Sequence, residues 1–232
     1  MKPYLQNRYT LSSVPQSKGL ILFVHGLTSS QDEPIFREAE RFFNEKGYST
    51  FRFNFYGDLE GERKLKDITL QDHITDVNNI IHFLSLQGFS KIFLVGHSYA
   101  GIVNLYVNHD MIAWILMWDS SIWGEGLLND VYLDENWKYY IDRWNGHRFY
   151  INENFYKDFQ ISSEVYLQKI AEISVPLKII GAEYWLAQAA KKYYEAIQSS
   201  EELSIIQWAD HRFLKHWMDS LFQESLNWIE KL

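Results

Sequence analysis

Residues 91–101 read KIFLVGHSYAG, an apolar run followed at once by a serine among small residues. The apolar run at 91–95 predicts a buried strand, and the residues after the serine have the spacing of a helix. A sharp turn from strand to helix crowds the backbone, so small residues such as Gly96 and Ala100 must stand two positions from its centre. Such a turn lifts the hydroxyl of Ser98 above the edge of a sheet, where it can act as a nucleophile.

Short apolar runs alternate with helical spacing along most of the chain. Strands are predicted at 20–24, 50–53, 91–95, 113–118, 177–180 and 203–207. Helices are predicted at 32–46, 70–87, 99–109, 187–198 and 213–231. This alternation predicts an α/β fold, a mostly parallel twisted sheet flanked by helices. The first residues, up to about residue 18, are expected to add one or two antiparallel edge strands.

Residues 120–173 break the alternation, because they are rich in aromatic side chains and contain no clear strand. A structureless loop of this length is uncommon in a compact domain, so we predict a small, mostly helical insertion. The chain would then consist of a core, residues 1–119 and 174–232, and an inserted cap. The aromatic side chains either pack the cap onto the core or form a lid over an apolar pocket, and both can hold.

Composition excludes several classes of protein. The chain has 232 residues, 47% of them hydrophobic, and a formal net charge of −8. The charge argues against binding to nucleic acids or anionic membranes, which requires clustered Lys and Arg. The absence of cysteine excludes disulfides, thiolate metal sites and a cysteine nucleophile, and we expect no metal.

The N-terminal residues lack the apolar core of a signal peptide, and no run of about 18 apolar residues predicts a membrane span. We therefore expect a cytoplasmic protein. The sequence leaves open whether the protein forms a homodimer.

A glycine motif follows the predicted strand at 20–24. Gly26, in the sequence His25-Gly26-Leu27, allows the chain to turn sharply and leaves the Leu27 N–H pointing inward. The N–H of Tyr99 lies next to Ser98 at the start of a predicted helix, where it points in the same direction. Together the two amides predict an oxyanion hole.

A histidine follows the last predicted strand and precedes the last predicted helix. His211 lies in the stretch 208–213, and an imidazole has a pKa that suits proton transfer near neutral pH. The other histidines lie in the glycine motifs, in predicted helices or near turns. His211 is therefore the candidate base for Ser98, and the alternative is a histidine at a helix start that only binds backbone.

With these motifs, the chain from about residue 18 onward resembles the α/β-hydrolase superfamily, and within it bacterial cinnamoyl and feruloyl esterases and monoacylglycerol lipases. The matching stretches are 25–27, 53–57, 96–101 and 209–213. The resemblance implies a central sheet of about eight strands, a cap after the sixth strand, and hydrolysis of an ester or thioester without a cofactor.

The acid of the triad is where this chain departs from the resemblance, which places an aspartate after the seventh strand in a G-x-x-D pattern. Here Gly181 leads to Tyr184, which carries no carboxylate. Glu183 is adjacent, but neighbouring residues of an extended segment point to opposite sides. Asp119 directly follows the strand predicted at 113–118, at the edge where ligands bind in parallel sheets.

Certain haloalkane dehalogenases and pancreatic-type lipases resemble this chain in placing the acid there. Asp119 is thus the preferred acid, while Glu183 and the absence of an acid remain alternatives.

These residues predict a carboxylesterase that forms an acyl-enzyme, with Ser98, His211 and Asp119 as the triad. Its substrate is expected to be a small-molecule ester with a small to medium, apolar or aromatic acyl group, bound by Tyr56 and Trp123. Hydrolysis of a thioester or a carbon–carbon bond is an alternative. A weakened or non-catalytic binding protein on the same fold is another, because Tyr184 occupies the usual acid position.

Overall fold

The computed structural model describes residues 8–122, 131–142, 146–197, 202–214 and 216–231. Within these residues the main sheet has seven strands: β1 (Tyr9–Ser12), β2 (Leu20–Val24), β3 (Ser49–Phe53), β4 (Ile92–His97), β5 (Ile112–Trp118), β9 (Leu177–Ala182) and β10 (Glu202–Ile206). Their order is β1-β3-β2-β4-β5-β9-β10, and β1 pairs antiparallel with β3 while the other pairs are parallel. The predicted α/β fold with a mostly parallel sheet is confirmed.

Within the described residues, the main sheet has one strand fewer than the resemblance implied. A single described edge strand, β1, precedes β2, and the seven residues between them include a turn at Pro15 and Gln16, the latter with φ +51°. Residues 1–7, where a second edge strand was also expected, lie outside the described residues. The strand predicted at 113–118 is the fifth of those described.

Helices cover both faces of the sheet. They are α1 (Pro34–Glu45), α2 (Leu70–Leu86), α3 (Ala100–Tyr106), α6 (Ala187–Ala196) and α7 (His216–Ile229). The side chains of β2 alternate between the faces: Leu22 joins the apolar core under α2, α3 and α6, and Phe23 joins the core under α1 and α7. Burial on both faces explains why these strands are continuous apolar runs in the sequence.

The segment from 120 to 173, predicted to be mostly helical, is mixed in its described residues. It contains the strands β6 (Val131–Leu133), β7 (Tyr139–Asp142) and β8 (Arg148–Tyr150) and the helices α4 (Glu153–Asp158) and α5 (Ser163–Ala171). The strands form a small antiparallel sheet in which Tyr140 faces Tyr150 across one pair and Tyr132 across the other. Aromatic residues favour strands, and their contacts across the sheet replace the helical packing that we expected.

Several aromatic side chains of this segment pack against the core. Phe155 and Phe159 are fully buried, and the Phe155 ring contacts the rings of His73 and Tyr99 at centroid distances of 5.5 and 6.1 Å. Trp137, by contrast, is 80% exposed. Packing of the segment onto the core therefore accounts for the aromatic side chains in and next to α4.

Among the described residues, no helix combines the length and the apolar content needed to cross a membrane.

Candidate active site

Ser98 occupies a strained turn between β4 and α3. Its φ is +59°, in the left-handed region that residues with a side chain rarely adopt. The strained backbone is held by neighbours, since the Ser98 N–H donates to the Trp118 carbonyl at 3.0 Å and the Ser98 carbonyl accepts from the Ser121 N–H at 3.2 Å. The turn thereby connects the end of β4 to the end of β5.

Small residues are needed at two positions of this turn. A Cβ atom on Gly96 would lie 2.5 Å from the Asn104 side-chain amide. A Cβ atom on Gly101 would lie 2.1 Å from the Ser120 Oγ. Ala100 is fully buried and its methyl group is accommodated. The second glycine of the motif is therefore required at position 101, one residue later than in the G-x-S-x-G pattern.

His211 lies in the loop between β10 and α7, and its ring connects two other side chains. Its Nε2 is 3.0 Å from the Ser98 Oγ, and its Nδ1 is 2.6 Å from Asp119 Oδ2. An ionised carboxylate only accepts hydrogen bonds, so the Nδ1–H donates to Asp119 and Nε2 is left to accept the Ser98 hydroxyl. Hydroxyl, imidazole and carboxylate thus form one continuous chain of hydrogen bonds.

Asp119 is fully buried directly after β5. Its Oδ1 accepts the Ala182 N–H at 2.8 Å. Burial raises the pKa of Asp119 to about 7, and the amide hydrogen bond from Ala182 opposes part of that rise. Its φ of +40° aims the side chain at the His211 ring.

Tyr184, at the usual acid position, and the adjacent Glu183 both contact Trp208 rather than His211. The Glu183 Oε2 accepts the Trp208 N–H at 2.8 Å and so supports the loop that carries His211. Tyr184 is 59% exposed, and its ring contacts the ring of Trp208. Of the candidate acids, the structure brings Asp119 and not Glu183 against His211.

The glycine motif after β2 lies against Ser98. A Cβ atom on Gly26 would be 3.1 Å from the Ser98 Cβ, so a larger residue would press on the serine. His25 accepts the Phe55 N–H at its Nε2, at 3.1 Å, and its Nδ1–H donates to the Gly26 carbonyl at 2.7 Å. Burial lowers the pKa of His25 to about 4, which keeps the ring neutral in this role.

Tyr56 supports the same loop from the other side. Its hydroxyl accepts the Thr28 N–H at 2.6 Å, and Thr28 has φ +57°. Tyr56, which was predicted to bind substrate, is 7% exposed, and its ring also lies 5.6 Å from the His25 ring and 6.1 Å from the His73 ring. Trp123, the other residue predicted to bind substrate, lies outside the described residues.

Leu27, whose amide is one candidate oxyanion donor, lies between Gly26, whose carbonyl binds His25, and Thr28, whose N–H binds Tyr56. Tyr99, whose amide is the other, is the residue that precedes α3. Both residues are buried. Leu27 follows the glycine that packs on Ser98, and Tyr99 follows Ser98 itself.

Two buried histidines support the site without contacting the Ser98 hydroxyl. The His97 Nε2–H donates to the His211 carbonyl at 2.7 Å, and the two rings lie 4.6 Å apart. Burial lowers the pKa of His97 to about 3. The sequence placed His97 in a glycine motif rather than as the base, and in the structure its ring supports the loop that carries His211.

The second, His73, was not recognised as part of the site. Its Nδ1 lies 2.5 Å from the Tyr99 hydroxyl, and burial holds its pKa well below the usual value. The available signal was a histidine on the apolar face of a predicted helix, in line with Val77.

The chemistry open to this arrangement is proton transfer from a hydroxyl. The imidazole can take the Ser98 proton while the buried carboxylate holds the tautomer and stabilises the imidazolium that forms. Among the described residues, no three His, Asp or Glu side chains are grouped so that they could hold a metal ion.

Comparison with known proteins identifies the fold. No family model and no curated protein matches the sequence. Est1E from Butyrivibrio proteoclasticus, solved with ferulic acid bound, superposes with a TM-score of 0.79 at 18% identity, over 97% of this chain and 94% of that one.

Two further structures agree. The monoacylglycerol lipase of Paleococcus ferrophilus gives a TM-score of 0.73 at 14% identity, over 97% of this chain and 98% of that one. The α/β-hydrolase GrgF from Penicillium sp. sh18 gives 0.76 at 15% identity, over 97% and 93%. The chain has the α/β-hydrolase fold.

Proposed function

We propose that this protein is a serine carboxylesterase that cleaves its substrate through an acyl-enzyme. The observation that carries the proposal is the hydrogen-bond chain from Ser98 through His211 to Asp119, with distances of 3.0 and 2.6 Å. A nucleophile, a base in reach of it and a group that orients the base are the arrangement that nucleophilic catalysis requires.

In the first step, Ser98 Oγ attacks the carbonyl carbon of the ester while His211 Nε2 takes the hydroxyl proton. The oxyanion that forms is stabilised by the N–H groups of Leu27 and Tyr99. The imidazolium then gives its proton to the leaving alcohol, and the tetrahedral intermediate collapses to the acyl-enzyme. Asp119 holds the imidazole in the correct tautomer throughout.

In the second step, water attacks the acyl group while His211 again takes a proton. The second tetrahedral intermediate then collapses, the bond to Ser98 Oγ breaks, the carboxylic acid leaves, and the imidazolium of His211 gives its proton to Ser98 Oγ. Both steps use the same base and the same pair of amides.

The substrate class is supported by the surroundings of the site. We propose an ester with a small to medium, apolar or aromatic acyl group, and segment 120–173 as a cap over it. Phe155 of that segment contacts Tyr99, so the segment reaches the turn that carries Ser98. Similar structures include an esterase holding ferulic acid and a monoacylglycerol lipase, which supports esters over other substrates.

The same residues could attack a thioester. A non-catalytic binding role was suggested by Tyr184 at the usual acid position, and the contact between Asp119 and His211 favours the catalytic function over it.

Replacement of the nucleophile tests the proposal. We expect Ser98→Ala to lower the rate of p-nitrophenyl acetate hydrolysis by at least about 10³-fold, because the serine forms the covalent intermediate. Labelling by a fluorophosphonate should be lost in the same variant. Ser90, an exposed serine just before the other end of β4, provides the control: Ser90→Ala should keep both. Turnover and labelling that persist in Ser98→Ala would refute the proposal.

A further inference from the structure

The segment after β9 has a different task here from the one that the resemblance implies. Instead of supplying the acid, its backbone binds the acid, since the Ala182 N–H donates to Asp119 Oδ1 at 2.8 Å and the Ile180 carbonyl in β9 accepts the Asp119 N–H at 2.7 Å. The side chains that follow Ala182 therefore do not need to supply the acid of the triad. Two of them, Tyr184 and Trp185, are large aromatics that are 59% and 62% exposed.

Of these two aromatics, only Trp185 is described in contact with the candidate base. Its ring stacks on the His211 imidazole, with centroids 5.8 Å apart and an angle of 28° between the planes. Tyr184 turns to the Trp208 ring instead, at 5.7 Å. The indole of Trp185 therefore presents an exposed aromatic surface directly beside the ring that moves the proton.

The charged groups near this surface are occupied by other contacts. The Arg212 guanidinium pairs with Glu33 at 3.0 Å. The Asp210 Oδ1 accepts the Arg212 N–H at 2.9 Å, and the Glu183 Oε2 accepts the Trp208 N–H. The surface thus suits an uncharged, flat group rather than an ion.

Trp185 lies on the side of the site where the leaving alcohol of the ester must bind. In the proposed mechanism, the imidazolium of His211 delivers its proton to the oxygen of the leaving alcohol, so that alcohol must lie against His211. We infer that Trp185 is a specificity-determining residue that binds the leaving group, and that it favours esters of aromatic alcohols over esters of small alkyl alcohols. This inference rests on the proposed function and adds to it the chemical class of the alcohol.

Esters that share an acyl group and differ in the alcohol test the inference. Phenyl acetate and ethyl acetate form the same acetyl-enzyme, so a comparison of their kcat/KM values reports the acylation step. Trp185→Ala should lower kcat/KM for phenyl acetate by about 3- to 10-fold, the range expected for loss of one aromatic stack. For ethyl acetate the change should stay within about twofold.

Two controls separate binding of the alcohol from support of the base. Tyr184→Ala removes an equally exposed neighbour that does not contact His211 and should leave both esters unchanged. The pH profile of Trp185→Ala should match that of the wild type, because the inference assigns Trp185 no role in the protonation of His211. If Trp185→Ala does not fold, Trp185→Leu makes the same comparison, since leucine is apolar but not flat.

An equal loss on both esters, or a shifted pH profile, would overturn the inference and make Trp185 a support for His211. Absence of Ser98-dependent turnover of either ester in the wild type would overturn the proposed function, and the leaving-group role would fall with it. A selective loss on phenyl acetate supports both.

Discussion

Three residues around the Ser98 hydroxyl have a strained backbone. Thr28, Ser98 and Asp119 have φ values of +57°, +59° and +40°. A residue with a side chain pays about 1–3 kcal/mol for such a conformation, so it persists only where surrounding contacts hold it. Here the holding contacts are the Tyr56 hydroxyl on Thr28, the Trp118 carbonyl on Ser98 and the Ile180 carbonyl on Asp119.

The acidity of Asp119 leads to a prediction for the pH dependence of activity. Burial raises its pKa to about 7, and the mechanism needs an ionised carboxylate beside a neutral imidazole. As the pH falls through about 7, the carboxylate takes up a proton, so kcat/KM should fall with it. The midpoint belongs to the coupled pair Asp119–His211 rather than to one group. A pH–rate profile between about pH 5 and 9 measures it, and a rate that stays constant down to about pH 5 would contradict the assignment.

The Asp119→Asn variant should lose about 10⁴-fold in kcat, because an amide stabilises the wrong imidazole tautomer. The matched control is Glu183→Gln, which changes the neighbouring candidate acid. It should stay within about tenfold of the wild type, since Glu183 contacts Trp208 and not His211. A larger loss in Glu183→Gln than in Asp119→Asn would reverse the choice of acid.

At the scale of elements, the turn from β4 to α3 is fitted against the end of β5. Gly101 lies in the first turn of α3, where alanine would ordinarily be favoured by about 1 kcal/mol. Its missing side chain instead makes room for Ser120, whose Oγ and Cβ would lie 2.1 and 2.4 Å from an added Cβ. Packing between α3 and the chain after β5 therefore outweighs the preference of the helix.

We accordingly expect Gly101→Ala to lower the free energy of unfolding by about 1–2 kcal/mol, because overpacking exceeds the gain in helix propensity. Urea unfolding measures the change. The converse exchange one residue earlier, Ala100→Gly, should cost about 1–2 kcal/mol, because helix propensity and the burial of one methyl group are both lost. A Gly101→Ala variant more stable than the wild type would show that the contact with Ser120 relaxes freely.

At the scale of the whole molecule, the two ends of β9 have different roles. Ala182, at the carboxyl end, binds Asp119, while Lys178, near the amino end, is 1% exposed. The Lys178 Nζ lies 2.8 Å from Glu224 Oε1 in α7 and 3.0 Å from Glu202 Oε2 in β10. These ion pairs fasten the C-terminal helix to the sheet at the end opposite the candidate site.

Lys178→Ala should therefore reduce stability by about 2–3 kcal/mol, since it removes a buried cation from two carboxylates that are partly exposed. Its kcat/KM at low temperature should stay within about twofold of the wild type, because no described contact links Lys178 to Ser98. Urea unfolding and ester hydrolysis measure the two quantities. Lys18→Ala, which breaks the exposed pair with Glu230, should change neither. A loss of activity without a loss of stability would contradict this separation of the two ends.

Local sequence patterns were sufficient for the sheet and for most candidate site residues. Apolar runs marked the strands β2, β3, β4, β5, β9 and β10 of the main sheet, and glycines marked turns at their ends. Ser98, His211, Leu27 and Tyr99 each follow directly on a strand or turn, so the topology of a parallel sheet brings them to one edge. The structure places all four there.

The tertiary structure alone decided which carboxylate meets His211. Asp119 and Glu183 follow two neighbouring strands, and the sequence cannot show that φ at Asp119 and an amide from Ala182 turn that carboxylate toward a ring 92 residues away. The contact between His73 and Tyr99 also joins residues 26 positions apart, which no short sequence pattern connects. The stacking of Trp185 on His211 joins two loops that no local signal connects, because it depends on how neighbouring strands are paired.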